Sequence, residues 1–178
     1  VIPYVTFKAE SEQTFTFYIP ENFTSALGEN NEYFEYSVGD GEWTRFTTTV
    51  ENIKFGGTLG SLRLRGKSSM GTANGYENCS MIQFTTANSP VDCTGDIRTL
   101  IDYENYDNAN TDNARFCSLF QNTALKTAPK LPAETLASYC YRYMFNGCSK
   151  LTTAPNLPAK TLNEYCYYGM FYGCSALT

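Results

Sequence analysis

Residues 135–152 read T-L-A-S-Y-C-Y-R-Y-M-F-N-G-C-S-K-L-T, and residues 161–178 repeat this stretch as T-L-N-E-Y-C-Y-Y-G-M-F-Y-G-C-S-A-L-T. The offset of 26 residues never changes, and it also relates A-P-K-L-P-A from Ala128 to A-P-N-L-P-A from Ala154. A weaker copy begins at Leu119 with L-F-Q-N. A fixed period of this size predicts a solenoid, in which each unit buries its apolar face against the next.

Apolar residues inside each copy recur every fourth position. Leu136, Cys140 and Met144 therefore share one face of a predicted short helix, which Gly147 ends by adopting a left-handed conformation. An extended segment follows, and Pro155 stops any helix from continuing. The predicted unit is a helix, a turn and a short strand. Its predicted core comprises Leu136, Cys140, Met144, Phe145, Cys148, Leu151, Leu162, Cys166, Met170, Phe171, Cys174 and Leu177.

The N-terminal half alternates apolar and polar residues with a period of two, which is typical of half-buried strands. Examples are the runs that contain Phe7, Phe17 and Phe34, and turn signals such as G-E-N and G-D-G separate the runs. We found no helical period there. The predicted fold class is therefore α+β: an antiparallel β-sandwich-like domain over residues 1–97, a polar junction or cap over 98–115, and the repeat solenoid over 116–178.

The motif M-F-x-G-C-S-x-L-T-x-A-P-x-L-P, read in full from Met144 and in its first nine positions from Met170, is similar to the BspA-like leucine-rich repeats of Bacteroidetes and other host-associated bacteria. Met144-Phe145 takes the Ala-Phe position of that family, and Cys148 and Leu151 take its Cys and first Leu. The unit here is longer, and Ala154 stands where a larger aliphatic residue is usual. The resemblance covers about residues 116–178. It implies an exported, non-enzymatic surface protein that is associated with adhesion to host proteins or other cells.

Composition limits the possible functions. The chain has no histidine, which removes the commonest general base and metal ligand. Its net charge is -5 and it has no dense basic patch, so we predict no nucleic-acid partner. No apolar run approaches the roughly 20 residues that a membrane span needs. We predict no cofactor.

Seven cysteines are present, so at least one does not pair within the chain. Cys79 and Cys93 stand apart from the repeats and could form a disulfide. The repeat cysteines recur at predicted packing positions and are expected to be buried. The alternative is a zinc site made by Cys140, Cys148, Cys166 and Cys174, although their spacing is wider than the two to four residues that usually separate paired zinc ligands.

Two further hypotheses, a glycosidase site and a calcium site, depend on acidic residues. Glu32, Glu35, Asp40 and Glu42 could supply the carboxylate pair of a glycosidase, although a solvated hairpin explains them more simply. The run from Asp107 to Asn113 could bind calcium through oxygens. It lacks the alternation, central Gly and final Glu of an EF-hand loop, so a polar loop is preferred.

Tyrosines are concentrated in the two copies. Tyr143, Tyr168 and Tyr172, together with Tyr141 and Tyr167, are the predicted binding residues, because tyrosine buries a large area and keeps a polar tip. Aromatic packing between units is the alternative.

The predicted function is adhesion to proteins or glycans on host or neighbouring cells, with many weak contacts adding together. A passive spacer is the second hypothesis, and an enzyme acting on glycans is the third. We expect an extracellular location on the bacterial surface. Because Thr178 falls inside a repeat, we also expect the natural protein to continue beyond it.

Overall fold

The computed structural model describes residues 1–178 and contains mostly β-structure. The single α-helix, α1, spans Glu21–Glu29. The strands are β1 (Val5–Lys8), β2 (Gln13–Tyr18), β3 (Tyr33–Val38), β4 (Thr44–Phe46), β5 (Val50–Phe55), β6 (Leu62–Lys67), β7 (Ala73–Asn74), β8 (Asn78–Cys79), β9 (Met81–Phe84), β10 (Val91–Thr94) and β11 (Leu125–Thr127). Short 3-10 helices cover Gly57–Leu59, Ile97–Leu100 and Tyr106–Asn108. None of the helices has the length and apolar character that crossing a membrane requires.

The strands form one large sheet and two small ones. The six-stranded sheet has the order β11-β10-β1-β6-β3-β4, and every pair in it is antiparallel except β10 with β11. A three-stranded sheet has the order β5-β2-β9, and β7 pairs with β8 in a small hairpin. The expected α+β class is therefore wrong, because the chain is mainly β with several small sheets and one helix.

Phenylalanine rings fill the space between the two larger sheets. Phe7 of β1 lies 6.0 Å from Phe15 of β2 between ring centroids, and Phe17 of β2 lies 5.1 Å from Phe34 of β3. Alternation along each strand sends these rings to one face, and all four are fully buried. Fully buried aromatic pairs at these distances contribute about 0.5–1.5 kcal/mol each beyond their buried area.

Helix α1 is an element that the alternating pattern did not predict. Pro20 precedes it, Glu21 lies in its first turn where a carboxylate favours the helix dipole, and Phe23 and Leu27 bury one face. Only these two apolar anchors, four residues apart, carry the helical period. The G-E-N signal that was interpreted as a turn between strands is in fact the end of this helix.

The predicted leucine-rich-repeat solenoid of helix-turn-strand units is wrong. Residues 116–178 contain no α-helix and one strand, β11, which belongs to the six-stranded sheet of the N-terminal half. The repeated stretch consists of successive turns instead. We call its three copies turn segment 1 (residues 115–124), turn segment 2 (137–149) and turn segment 3 (163–175).

The physical reason for the wrong helix prediction is that a chain of turns has the same period. Tyr139, Tyr143 and Gly147 all have positive φ values, of 61°, 55° and 75°, so the backbone is left-handed at every fourth residue. The N–H groups of Met144 and Cys148 donate to carbonyls three residues earlier, at 3.1 and 3.0 Å. Residues four apart therefore point inward from consecutive turns just as they would from a helix.

Backbone hydrogen bonds join the turn segments side by side. The N–H of Phe120 donates to the carbonyl of Met144 at 2.9 Å, and the N–H of Phe145 donates to the carbonyl of Met170 at 3.1 Å. The rings of Phe120, Phe145 and Phe171 consequently stack with centroids 5.7 and 5.8 Å apart. A second column stacks Phe116, Tyr141 and Tyr167 at 6.4 and 6.1 Å.

One hydrophobic core runs through both halves of the chain. The cluster extends from Val5 in β1 to Met170 in turn segment 3, and Phe7 meets Phe120 at 6.0 Å. Strand β11 pairs with β10, so the residues on either side of the predicted 98–115 junction share one sheet. The prediction that Leu162 belongs to the repeat core is wrong, because its side chain, just before turn segment 3, is 53% exposed. Phe171, Cys174 and Leu177 are partly buried against the core.

The disulfide joins Cys79 to Cys117, not to Cys93. It ties the β7–β8 hairpin to turn segment 1, whereas Cys93 is a buried free thiol in β10. The suggested pairing of Cys79 with Cys93 is therefore wrong. It assumed that all the cysteines in the repeats are free, whereas Cys117, in turn segment 1, forms the disulfide.

Candidate functional site

A tyrosine-lined cleft opens on the side of turn segments 2 and 3. Its volume is about 660 Å³, and its lining residues are Gln121, Tyr143, Asn146, Tyr168, Gly169 and Tyr172. The ring of Tyr143 meets that of Tyr168 edge-on at 5.5 Å, with 69° between the ring planes. Tyr168 is 52% exposed and Tyr172 is 77% exposed. We call this site the tyrosine cleft.

Backbone conformation at one position gives the cleft its shape. Tyr143 and Gly169 occupy equivalent places in turn segments 2 and 3, and both are left-handed, with φ values of 55° and 61°. A β-carbon at Gly169 would overlap the ring of Tyr143. The ring can therefore lie over turn segment 3 only because that segment carries glycine here.

The cleft is lined by positions at which the two copies differ. Arg142 is replaced by Tyr168 in the next copy, Tyr143 by Gly169, and Asn146 by Tyr172. The Leu, Cys, Met and Phe residues that are buried in the first copy, in contrast, are unchanged in the second. The repeated residues thus build a constant frame, and the residues that vary on this frame form the cleft.

The predicted binding tyrosines divide into two groups. Tyr143, Tyr168 and Tyr172 line the cleft. Tyr141 is 1% exposed and its prediction as a binding residue is wrong, since it stacks in the core between Phe116 and Tyr167. Burial also raises the pKa of the Tyr141 hydroxyl far above its ordinary value. Tyr167 is half-buried in the same column and lies outside the cleft.

A third aromatic column borders the cleft. Tyr76, from the turn that joins β7 to β8, stacks on Tyr139 at 4.4 Å, and Tyr139 stacks on Tyr165 at 5.0 Å. The guanidinium of Arg142 lies over the rings of Tyr139 and Tyr143, at 5.6 and 4.6 Å. The cation–π contact of Arg142 stabilises the orientation of the Tyr143 ring.

Four of the five free thiols are buried in the core, and that of Cys174 is partly buried. Burial raises the pKa of Cys140 to about 12 and that of Cys148 to about 11, so both are protonated at neutral pH. The thiol of Cys148 donates to the carbonyl of Phe120 at 2.9 Å, and that of Cys174 donates to the carbonyl of Phe145 at 3.0 Å. The cysteine of each copy therefore bonds to the preceding turn segment, which explains why it recurs with the period of the repeat.

Three of the other acidic candidates, Glu32, Glu35 and Asp107, form hydrogen bonds or ion pairs within the protein. The carboxylate of Glu35 is buried and pairs with Arg65 at 3.5 Å and Arg45 at 3.7 Å on the outer face of the six-stranded sheet. Glu32 accepts hydrogen bonds from Ser69. Asp107 pairs with Arg98 at 3.4 Å. No group of three or more His, Cys, Asp or Glu side chains is arranged to hold a metal ion.

Sequence reasoning missed Gln121 and Asn146, which also line the cleft. These residues occupy equivalent places in turn segments 1 and 2, and Tyr172 takes the same place in turn segment 3. They were missed because the search for binding residues considered only tyrosines. Comparing the copies position by position, and asking which exposed positions differ, would have found them.

Comparisons with known proteins add no further information. No family model, curated protein or solved structure matches this chain. The resemblance to BspA-like repeats therefore stays a prediction from the motif.

Proposed function

We propose that this chain is a non-enzymatic recognition protein whose tyrosine cleft binds a protein or glycan on host or neighbouring cells. The observation that carries the proposal is the contrast between the unchanged core positions of the copies and the differing residues that line the cleft. Exposed tyrosine faces beside amide groups favour recognition, since tyrosine gives a large contact area at low entropic cost.

The chemical surroundings of the cleft support binding over catalysis. Its walls carry no carboxylate, thiol or lysine that could act as a base or nucleophile. The buried thiols, with their raised pKa values, also lack the activated thiolate that a cysteine nucleophile needs.

We also propose that the protein acts outside the cell. The disulfide between Cys79 and Cys117 supports this location, because disulfides persist mainly in oxidising compartments.

A direct test compares the binding of fluorescently labelled protein to cultured epithelial cells and to bacterial cells. We expect saturable binding to at least one of them, and a loss of about tenfold or more in affinity for the double variant Tyr168→Ala/Tyr172→Ala. Both side chains are exposed, so the fold should not depend on them.

The matched control is Tyr18→Ala, which removes a tyrosine that is 46% exposed on β2 and is not among the cleft residues. This variant should bind like the wild type. Equal binding by the cleft double variant and the wild type would refute the proposal, as would the absence of saturable binding, which a passive spacer predicts.

A further inference from the structure

We infer that the ligand of the tyrosine cleft is an uncharged, pyranose-containing oligosaccharide. This inference rests on the proposed function and narrows it from a protein or glycan to one chemical class. It is carried by three features of the cleft: its lack of charge, the arrangement of its rings, and its polar wall.

The first feature is electrostatic. The lining residues are three tyrosines, two amides and a glycine, and none of them carries a formal charge at neutral pH. The guanidinium of Arg142, which borders Tyr143, is engaged over the rings of Tyr139 and Tyr143. A sulfate, phosphate or carboxylate would lose water in the cleft without gaining a paired charge, which is unfavourable. The net charge of -5 also opposes anionic ligands.

The second feature is the corner that two rings form. Tyr143 and Tyr168 meet with 69° between their planes, so their faces point in different directions around the same space. The face of an aromatic ring carries partial negative charge, and it attracts the weakly positive C–H groups on the apolar face of a pyranose ring. Tyr172, which is the most exposed of the three, adds a further face at the edge of the cleft.

The third feature is the pair of amide residues, Gln121 and Asn146, among the residues that line the cleft. The side-chain amides of Gln121 and Asn146 each offer two donors and an acceptor, and the tyrosine hydroxyls can both donate and accept. Sugar hydroxyls have the same dual capacity, so the two sets of groups match. The volume of about 660 Å³ lies within the range of sites that bind small ligands.

A trimethylammonium group is the competing ligand for a set of aromatic rings. Such a group is compact and is held best by rings that close around it, often beside a carboxylate. This cleft is open, contains no carboxylate, and has an amide wall that a trimethylammonium group could not use. An oligosaccharide uses the rings and the amides together, so it accounts for more of the lining.

The experiment uses a printed panel of neutral, sialylated and sulfated oligosaccharides, probed with the wild-type chain. We expect binding to at least one neutral member, and about a tenfold or greater loss with Tyr168→Ala/Tyr172→Ala. The Tyr18→Ala variant should bind unchanged. Binding to acidic members only, displacement by choline at millimolar concentration, or no binding to any neutral member would overturn the inference.

A second arm separates this inference from the proposed function. Cells that bind the protein are treated either with periodate, which cleaves vicinal diols of sugars, or with protease. The inference expects periodate to abolish binding and protease to leave a glycan-dependent fraction. If cleft-dependent binding survives periodate, recognition stands and the sugar assignment fails. If binding to untreated cells does not need Tyr168 and Tyr172, both fail.

Discussion

Gly169 is the residue on which the shape of the tyrosine cleft depends most. The equivalent position in the preceding copy carries Tyr143, and the exchange of tyrosine for glycine leaves the space that the Tyr143 ring occupies. A single side chain at this position would close that space. The two copies therefore share the left-handed backbone at this position and differ in the side chain that it carries.

We predict that Gly169→Ala will abolish ligand binding while the protein remains folded. The new β-carbon would overlap the Tyr143 ring and displace it, and the left-handed backbone would add about 1–2 kcal/mol of strain. Denaturant unfolding and cell binding, measured on the same preparation, separate the two effects.

The control is Gly75→Ala. Gly75 has a similar φ of 70°, but no atom lies within 4 Å of the added carbon. It should lose comparable stability and keep full binding. Normal binding by Gly169→Ala would contradict the account of the cleft.

The buried thiols give a second prediction at this scale, which concerns alkaline pH. Burial raises the pKa of Cys140 from 9.0 to about 12, so between these values the unfolded chain loses a proton that the folded chain keeps. The free energy of unfolding should be unaffected by this thiol below pH 9. Above pH 9 it should fall by about 1.4 kcal/mol per pH unit for each such thiol.

Urea unfolding between pH 7 and pH 11 measures this dependence. Burial also raises the pKa of Cys93, so more than one thiol should contribute to the slope. The variant Cys140→Ala should show a shallower fall than the wild type. A stability that stays constant up to pH 11 would mean that these thiols are not buried as described.

At the scale of elements, the β7–β8 hairpin links the two halves of the chain. Its disulfide reaches from Cys79 to Cys117 in turn segment 1, and Tyr76 at its turn begins the column that continues through Tyr139 to Tyr165. The hairpin itself has only two residues in each strand, which is too short to be stable alone. The covalent link and the stacked rings therefore hold it in place.

We predict that removing this disulfide lowers stability by about 4 kcal/mol, the loop-entropy value for a separation of 38 residues. Urea unfolding with and without a thiol-free reductant measures the change. The double variant Cys79→Ala/Cys117→Ala should match the reduced wild type and should not respond to reductant. Identical unfolding of the wild type in both conditions would show that the link contributes nothing.

The elements also show what the sequence could and could not predict. Alternation located the buried faces of β1 and β2 correctly, because a strand reveals its period over a few residues. On β3 it predicted Phe34 inward, but Glu35 and Ser37 are also buried, because arginines cover the outer face. Helix α1 escaped notice because only two residues carry its period. The turn segments were taken for helices because both structures bring every fourth residue inward.

For the whole molecule, the sequence predicted that most of the repeated apolar residues would be buried, but it did not predict which sheet they pack against. Nothing in the repeat indicates that β11 would extend the six-stranded sheet, because strand pairing across a long separation leaves no local pattern. The cleft was half-predicted. Tyr143, Tyr168 and Tyr172 were named from composition, whereas Gln121 and Asn146 needed the stacking of the turn segments to bring them beside the rings.

A constant frame of repeated residues presents a varied cleft, and we propose that this cleft binds a neutral sugar chain. The most direct measurement is the aromatic NMR spectrum of ¹³C-tyrosine-labelled protein during titration with the neutral oligosaccharide that the panel selects. We predict saturable shifts of the Tyr143, Tyr168 and Tyr172 signals, while the signals of buried Tyr141 and of Tyr18, which does not line the cleft, stay in place. Unchanged cleft tyrosines, or shifts spread evenly over all the tyrosines, would contradict the account.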